Sequence, residues 1–256
     1  MENEPFFETR GNAFQPMPVC AGPWDPKSLH GRVVAGLLAY EIERNHGDDD
    51  FQPARLTVDL YRLPDFSVAE VSSTRVRDGR RIRVVDAEFV SNGVSVGRAS
   101  CQLLRRSESP AGNVWTRANW DVPHPADIEP PQAAAMGGMW ATRPIDGGMG
   151  SIGPSRTWIS EVRGLVAGTP ITPWQRVALA ADFTSPFANA SNIGLSFINT
   201  DITLYLHKLP ATEWIGFEVV NHGSTQGVAI GECYLYDEEG PIGSSSVTAL
   251  AQRRSM

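Results

Sequence analysis

The chain has 256 residues, 41% of them hydrophobic and 20% charged, which is enough apolar material for a folded core and too much for a disordered chain. Its 22 Lys and Arg against 29 Asp and Glu give a formal charge of −7, and without a basic stripe to neutralise phosphates it is not expected to bind nucleic acid. No apolar run reaches the roughly 18 residues of a membrane helix, and Met1-Glu2-Asn3-Glu4 is acidic where a secretory signal is basic, so the expectation is a cytoplasmic protein with no membrane partner.

In chain order, the first periodic segment is helical. Val34, Leu37, Leu38 and Ile42 form one apolar stripe, with Arg32, Glu41, Glu43 and Arg44 expected on the outer side. Ala35, Gly36 and Ala39 keep this helix thin, which suits burial against a curved sheet. His46 beside Asp48-Asp49-Asp50 reads as a solvated acidic turn, and no metal site is expected. Four strand-like runs follow, at 54–63, 68–76, 80–90 and 94–104. In the last, Ala99, Cys101 and Leu103 alternate with Arg98, Ser100 and Gln102, the period of a half-buried strand. Arg77-Asp78-Gly79-Arg80 and Ser91-Asn92-Gly93 read as hairpin turns.

The composition then changes. Residues 107–154 hold Pro110, Pro123, Pro125, Pro130, Pro131, Pro144 and Pro154 with Gly137-Gly138 and Gly147-Gly148, and show no sustained period. This stretch is read as a linker that packs Trp115, Trp120 and Trp140.

A second helix is announced by Thr172-Pro173-Trp174-Gln175, a capping-box spacing with proline at the first helical position. It runs through Val177, Leu179 and Ala181 and is expected to stop before Thr184-Ser185-Pro186, which leaves Asp182 at its end. Four more strand-like runs follow, at 197–208, 214–221, 225–236 and 243–251. The two halves also share landmarks: Leu60-Tyr61-Arg62-Leu63-Pro64 is answered by Leu206-His207-Lys208-Leu209-Pro210, and Arg105-Arg106-Ser107 by Arg253-Arg254-Ser255. The chain is therefore read as a repeat at 1–106, the linker at 107–154 and a second repeat at 155–256.

Several chemistries lack their residues. Cys20, Cys101 and Cys233 are far apart and read as reduced, buried thiols. Ser244-Ser245-Ser246 lie in a strand rather than at a G-x-S-x-G elbow, and no phosphate-loop or dinucleotide fingerprint occurs.

A helix with four antiparallel strands, preceded by one more strand and occurring twice, is an α+β double hotdog: two central helices wrapped by one continuous sheet. At the residue level the chain resembles the acyl-CoA thioesterase II-like double-hotdog proteins. The resemblance is carried by Gly22-Pro23-Trp24-Asp25-Pro26-Lys27-Ser28-Leu29-His30-Gly31, by 176–182, by Phe197-Ile198-Asn199-Thr200-Asp201 and by 227–237. It implies a cofactor-free hydrolase that cleaves acyl-CoA into acid and CoA and works as a homo-oligomer. It also implies that an Asp at the end of the second helix, a hydroxyl or amide on the next strand and a Gln on the last strand hold the attacking water.

Carried over by position, these are Asp182 and Asn199, while the Gln falls on Val247 or, shifted by one, on Thr248. Arg32 replaces the glycine that relatives carry after His30-Gly31, a charge placed to block or to grip a CoA phosphate, and Lys27 is a second candidate for such a contact. Trp24 and Trp174, each beside a helix start, are candidates to line an acyl tunnel. Each residue has a plainer alternative: Asp182 bonding the turn that follows it, Asn199 capping a strand, His30 packing or bonding a carbonyl, Arg32 and Lys27 as solvated charges. Val247 motivates a second function, an acyl-CoA-binding or scaffold protein of weakened activity. Asp25 and His30 motivate a third, since their D-x-x-x-x-H spacing resembles the Asp/His pair of hotdog enoyl-CoA hydratases.

Overall fold

The computed structural model describes residues 4–131 and 139–252, so Met1-Glu2-Asn3, Gly137-Gly138 and Arg253-Arg254-Ser255 lie outside the described residues. Two short strands, β1 (Phe7–Arg10) and β2 (Ala13–Pro16), precede helix α1 (Gly31–His46). Four long strands follow it: β3 (Phe51–Leu60), β4 (Ala69–Asp78), β5 (Ile82–Ser91) and β6 (Val94–Arg105). The second half opens with β7 (Trp140–Asp146) and β8 (Arg156–Glu161), then α2 (Pro173–Ala181), α3 (Thr184–Asn189) and a small hairpin of β9 (Ala190–Ser191) and β10 (Gly194–Leu195). It closes with β11 (Phe197–Asn199), β12 (Asp201–Leu206), β13 (Trp214–Thr225), β14 (Val228–Asp237) and β15 (Gly240–Ala251).

The large sheet has the order β1-β2-β4-β5-β6-β3-β12-β15-β14-β13-β8-β7, with β11 also on β15. The two helix-and-strand units meet where β3 runs antiparallel to β12, Thr57 opposite Thr203. This is the double hotdog expected from the repeats. The alternation read in the sequence is the one that sets the faces: Ala99, Cys101 and Leu103 are buried on the helix side, and Arg98 is exposed.

The two central helices are antiparallel, because their contacts run in opposite order. Glu43 accepts from Thr172 Oγ1 at 2.8 Å, Ala39 O accepts from Trp174 Nε1 at 3.2 Å, and Gly36 lies against Leu179. A Cβ at Gly36 would stand 2.6 Å from Leu179 Cδ2, so the absence of a side chain there is what lets the helices touch. Continued one step further, the same order sets the end of α2 beside the start of α1.

Three expectations need correcting. Arg32 and Glu41 do not look outward: both are buried, Arg32 among Phe6, Trp140 and Glu161, and Glu41 beside Ser73 of β4, which covers the side of α1 that amphipathicity would leave open. The turn expected after Asp182 is the start of a further helix, since α3 begins at once with Pro186 in its first turn, where a missing N–H costs nothing. Residues 107–154 are not all linker, for β7 lies within them and pairs with β8 at the sheet edge, where its Pro144 interrupts no inner ladder. Of the tryptophans there, Trp140 is buried and Trp120 stacks on Tyr236 with ring centroids 4.1 Å apart, but Trp115 is 84% exposed. Among the described residues, no helix is long and apolar enough to cross a membrane.

Candidate active site

Asp182 is the C-cap of α2 and the joint with α3. The α2 start is fixed by the capping box, in which Gln175 N donates to Thr172 Oγ1 and Gln175 Oε1 accepts from Thr172 N. Its end is fixed by β15, whose Ser245 Oγ donates to the Ala181 carbonyl at 3.0 Å and satisfies a group the helix leaves open. With both ends tied, the carboxylate has little freedom to move. His30 is set from the other side: its N–H donates to Cys20 O and that of Leu29 to Pro64 O, both at 2.8 Å.

Asp182 is 3% exposed and both of its oxygens are engaged. Oδ1 accepts from Asn199 Nδ2 at 2.9 Å, and Oδ2 lies 3.0 Å from His30 Nδ1. Burial pushes the pKa of this carboxyl up, but the His30 bond and charge, the Asn199 bond and the Arg32 charge outweigh it, so it lies below the ordinary carboxylate range. Pairing thus outweighs the burial that would raise the pKa of an unpaired buried Asp.

The His30 proton follows from this. Nδ1 also lies 3.2 Å from the backbone N of Arg32, and one nitrogen cannot donate and accept at once. An ionised carboxylate only accepts and makes the stronger bond, so Nδ1 carries hydrogen and gives it to Asp182.

A cleft of about 600 Å³ opens at this joint. Its lining is mostly apolar, with Trp24, Leu29, Val34, Leu60, Ile198 and Leu250 among it, and His30, Gly31, Asp182, Asn199 and Gln252 as polar contributors. Gly31 is required there: a Cβ on it would stand 2.9 Å from Asp182 Oδ1. As the first residue of α1 its N–H has no partner within the helix and stands at the positive end of the helix dipole.

The sequence-predicted residues thus divide. Asp182, Asn199, His30, Gly31 and Trp24 come together on one cleft. Thr248 does not line it: its Oγ1 is exposed on the opposite face of β15 from Ser245 and bonds Asp201 Oδ1 at 2.5 Å and Thr200 Oγ1 at 2.9 Å. Arg32 is 1% exposed, lies 3.3 Å from Glu161 Oε2, donates to Met139 O, and is sandwiched by the rings of Phe6 and Trp140, so it cannot reach a CoA phosphate. Trp174 is buried at the far end of the helix pair. Asp25 does not pair with His30 either. It is exposed and its Oδ1 accepts from Lys27 N within its own turn. Gln252, which the sequence does not single out, also lines the cleft, one residue beyond the end of β15 and close to the last-strand position at which the resemblance implies a Gln.

A double-hotdog protein with a buried carboxylate, its imidazole and amide partners, and an apolar cleft at the helix joint is the class that fold and site define. The family comparison is consistent with it. The acyl-CoA thioesterase N-terminal domain family matches residues 20–104 and the acyl-CoA thioesterase C-terminal domain family matches residues 119–251. The chain belongs to the acyl-CoA thioesterase family. Among solved structures it is similar to the tesB protein of Mycobacterium avium subsp. paratuberculosis, with TM-score 0.72 and 13% identity over 96% of both chains. It is also similar to the acyl-CoA thioesterase II TesB2 of Mycobacterium marinum, with TM-score 0.65 and 15% identity over 97% of this chain and 96% of that one. A protein of unknown function with a hot dog fold from Alicyclobacillus acidocaldarius gives TM-score 0.75 and 16% identity over 98% and 96%. At these identities the likeness is one of fold. Comparison with curated protein sequences finds no match.

Proposed function

We propose that the protein hydrolyses acyl-CoA thioesters to free acid and CoA, with the water activated at the Asp182 carboxylate. The observation that carries this is the position of Asp182: ionised, fixed by Asn199 and His30, and set at the wall of a cleft whose apolar lining suits an acyl chain. Water bound beside the carboxylate is held close to a thioester whose chain lies along Leu60, Ile198 and Leu250. The open N–H of Gly31 is placed to receive the carbonyl oxygen as charge develops on it. Thr248, facing away, has no part in this arrangement, and Gln252 supplies the carboxamide expected on the last strand. The test is release of free thiol from acyl-CoAs over a chain-length series; turnover that saturates supports hydrolysis, and its absence at every length overturns it.

Val247, buried in the core, supports the second reading of a binding protein, since it cannot hold water. Saturable binding of acyl-CoA without thiol release would favour it. Asp25, turned away from His30, gives the hydratase reading no support.

Cytoplasmic location and a role in lipid metabolism belong to the same proposal; the three cysteines are free and buried, in keeping with a reducing compartment. Self-association with a second copy is proposed through the outer sheet face, which exposes Tyr205, Val228, Ile230 and Tyr234. Light scattering on the purified chain tests it, and a monomer at all concentrations would overturn it.

A further inference from the structure

We propose that Arg62 binds a phosphate group of acyl-CoA at the mouth of the cleft. The proposal rests on the thioester-hydrolase reading and concerns how the nucleotide end of the substrate is held. Arg62 is exposed and lines the cleft, and among the described lining residues it is the one arginine or lysine. Lys27 and Arg32 are not in that wall. The chain carries a net charge of −7, so a ligand with several phosphates needs a local cation to approach it. A guanidinium suits the task, because its planar fork bonds two phosphate oxygens at once.

The internal repeat shows why this cation is free. Arg62 in Leu60-Tyr61-Arg62-Leu63-Pro64 holds the place of Lys208 in Leu206-His207-Lys208-Leu209-Pro210. Lys208 Nζ is paired, 3.1 Å from Asp237 Oδ1 and 3.3 Å from Glu239 Oε2. Those acids sit at the end of β14 and in the two-residue turn to β15. The matching hairpin of the first repeat, from the end of β5 through its two-residue turn to β6, has Ser91 and Gly93 at these positions. Asp65, close by in sequence, is engaged elsewhere: its Oδ1 accepts from Ser67 N at 2.9 Å and from Ser91 Oγ at 3.0 Å. Among the described residues, no carboxylate pairs with Arg62. The backbone that presents it is nonetheless fixed, since Tyr61 N and Arg62 N donate to Val96 O at 2.9 and 3.3 Å, and Pro64 O accepts from Leu29 N at 2.8 Å. An unpaired cation on a fixed segment beside the site is ready for an anionic ligand.

Arg62→Ala removes the charge from an exposed side chain, so the thermal midpoint is expected to stay at the wild-type value. Thiol release by the full chain is followed with an acyl-CoA and with the same acyl group on pantetheine, which carries no phosphate. KM for the acyl-CoA is expected to rise about 5- to 10-fold at low salt with kcat unchanged, while both constants for the acyl-pantetheine stay the same. Arg62→Lys, which keeps the charge but not the fork, is expected to fall between wild type and Arg62→Ala. An unchanged KM for acyl-CoA, or an equal rise for both substrates, overturns the phosphate contact and leaves hydrolysis standing. A wild type that releases no thiol overturns hydrolysis itself. In that case calorimetric titration with CoA alone decides the contact: weaker binding by Arg62→Ala upholds it, and equal or absent binding by both proteins overturns it.

Discussion

His30 Nδ1 lies 3.0 Å from Asp182 Oδ2, although one residue opens the helix of the first repeat and the other closes the helix of the second. The antiparallel helix pair creates this contact. Each repeat supplies half of the site, so neither half is expected to be active alone.

Gly31→Ala tests how tightly the two halves fit. The new Cβ would stand 2.9 Å from Asp182 Oδ1 and 3.3 Å from Leu60 Cδ1, and Asp182 can yield only by leaving Asn199. Displacement of a catalytic group by a fraction of an ångström is expected to cost on the order of 10- to 100-fold in kcat. Steady-state thiol release measures it, and a variant within about twofold of wild type would show that the carboxylate position is not critical.

The Asp182 carboxyl also links stability to pH. Its pKa is lower folded than unfolded, so its ionisation contributes stability that is complete above the ordinary Asp value, about 3.9, and is lost as pH falls through the folded value. Urea unfolding at pH 7 should show Asp182→Asn less stable than wild type, with the gap narrowing in acid below about pH 4. A gap that is constant with pH would mean that the charge of Asp182 does not contribute.

Arg32 is assigned to structure. It is the buried cation facing Glu161, whose pKa is raised by burial against the pull of Arg32, so each partner depends on the other. Arg32→Ala is expected to cost about 3–5 kcal/mol in chemical denaturation, since it strands a buried carboxylate. The folded fraction should keep the wild-type KM for acyl-CoA. A raised KM with unchanged stability would restore Arg32 to the CoA site.

Much of this architecture was readable before any coordinates. Strands announce themselves locally through alternation, as at Ala99, Cys101 and Leu103, and Thr172-Pro173-Trp174-Gln175 announces a helix start through its own capping chemistry. The repeats then point to the fold. What the sequence hides is set by distant partners. Arg32 and Glu41 read as outward-facing because amphipathicity describes one helix and not the strands that cover it. His30 reads as paired with nearby Asp25 because spacing along the chain is visible and the antiparallel order of two helices is not. Thr248 and Gln252 differ by the end of β15: positional transfer reached the outward-facing Thr248, and the chain must finish its strand before Gln252 meets the cleft.

The central claim is that Asp182 is required for thioester cleavage, and the direct measurement is kcat for thiol release from a saturating acyl-CoA by wild type and by Asp182→Ala that is still folded by circular dichroism. The account predicts turnover by the wild type and a fall of at least about 100-fold in the variant. Turnover by Asp182→Ala at the wild-type rate would contradict it.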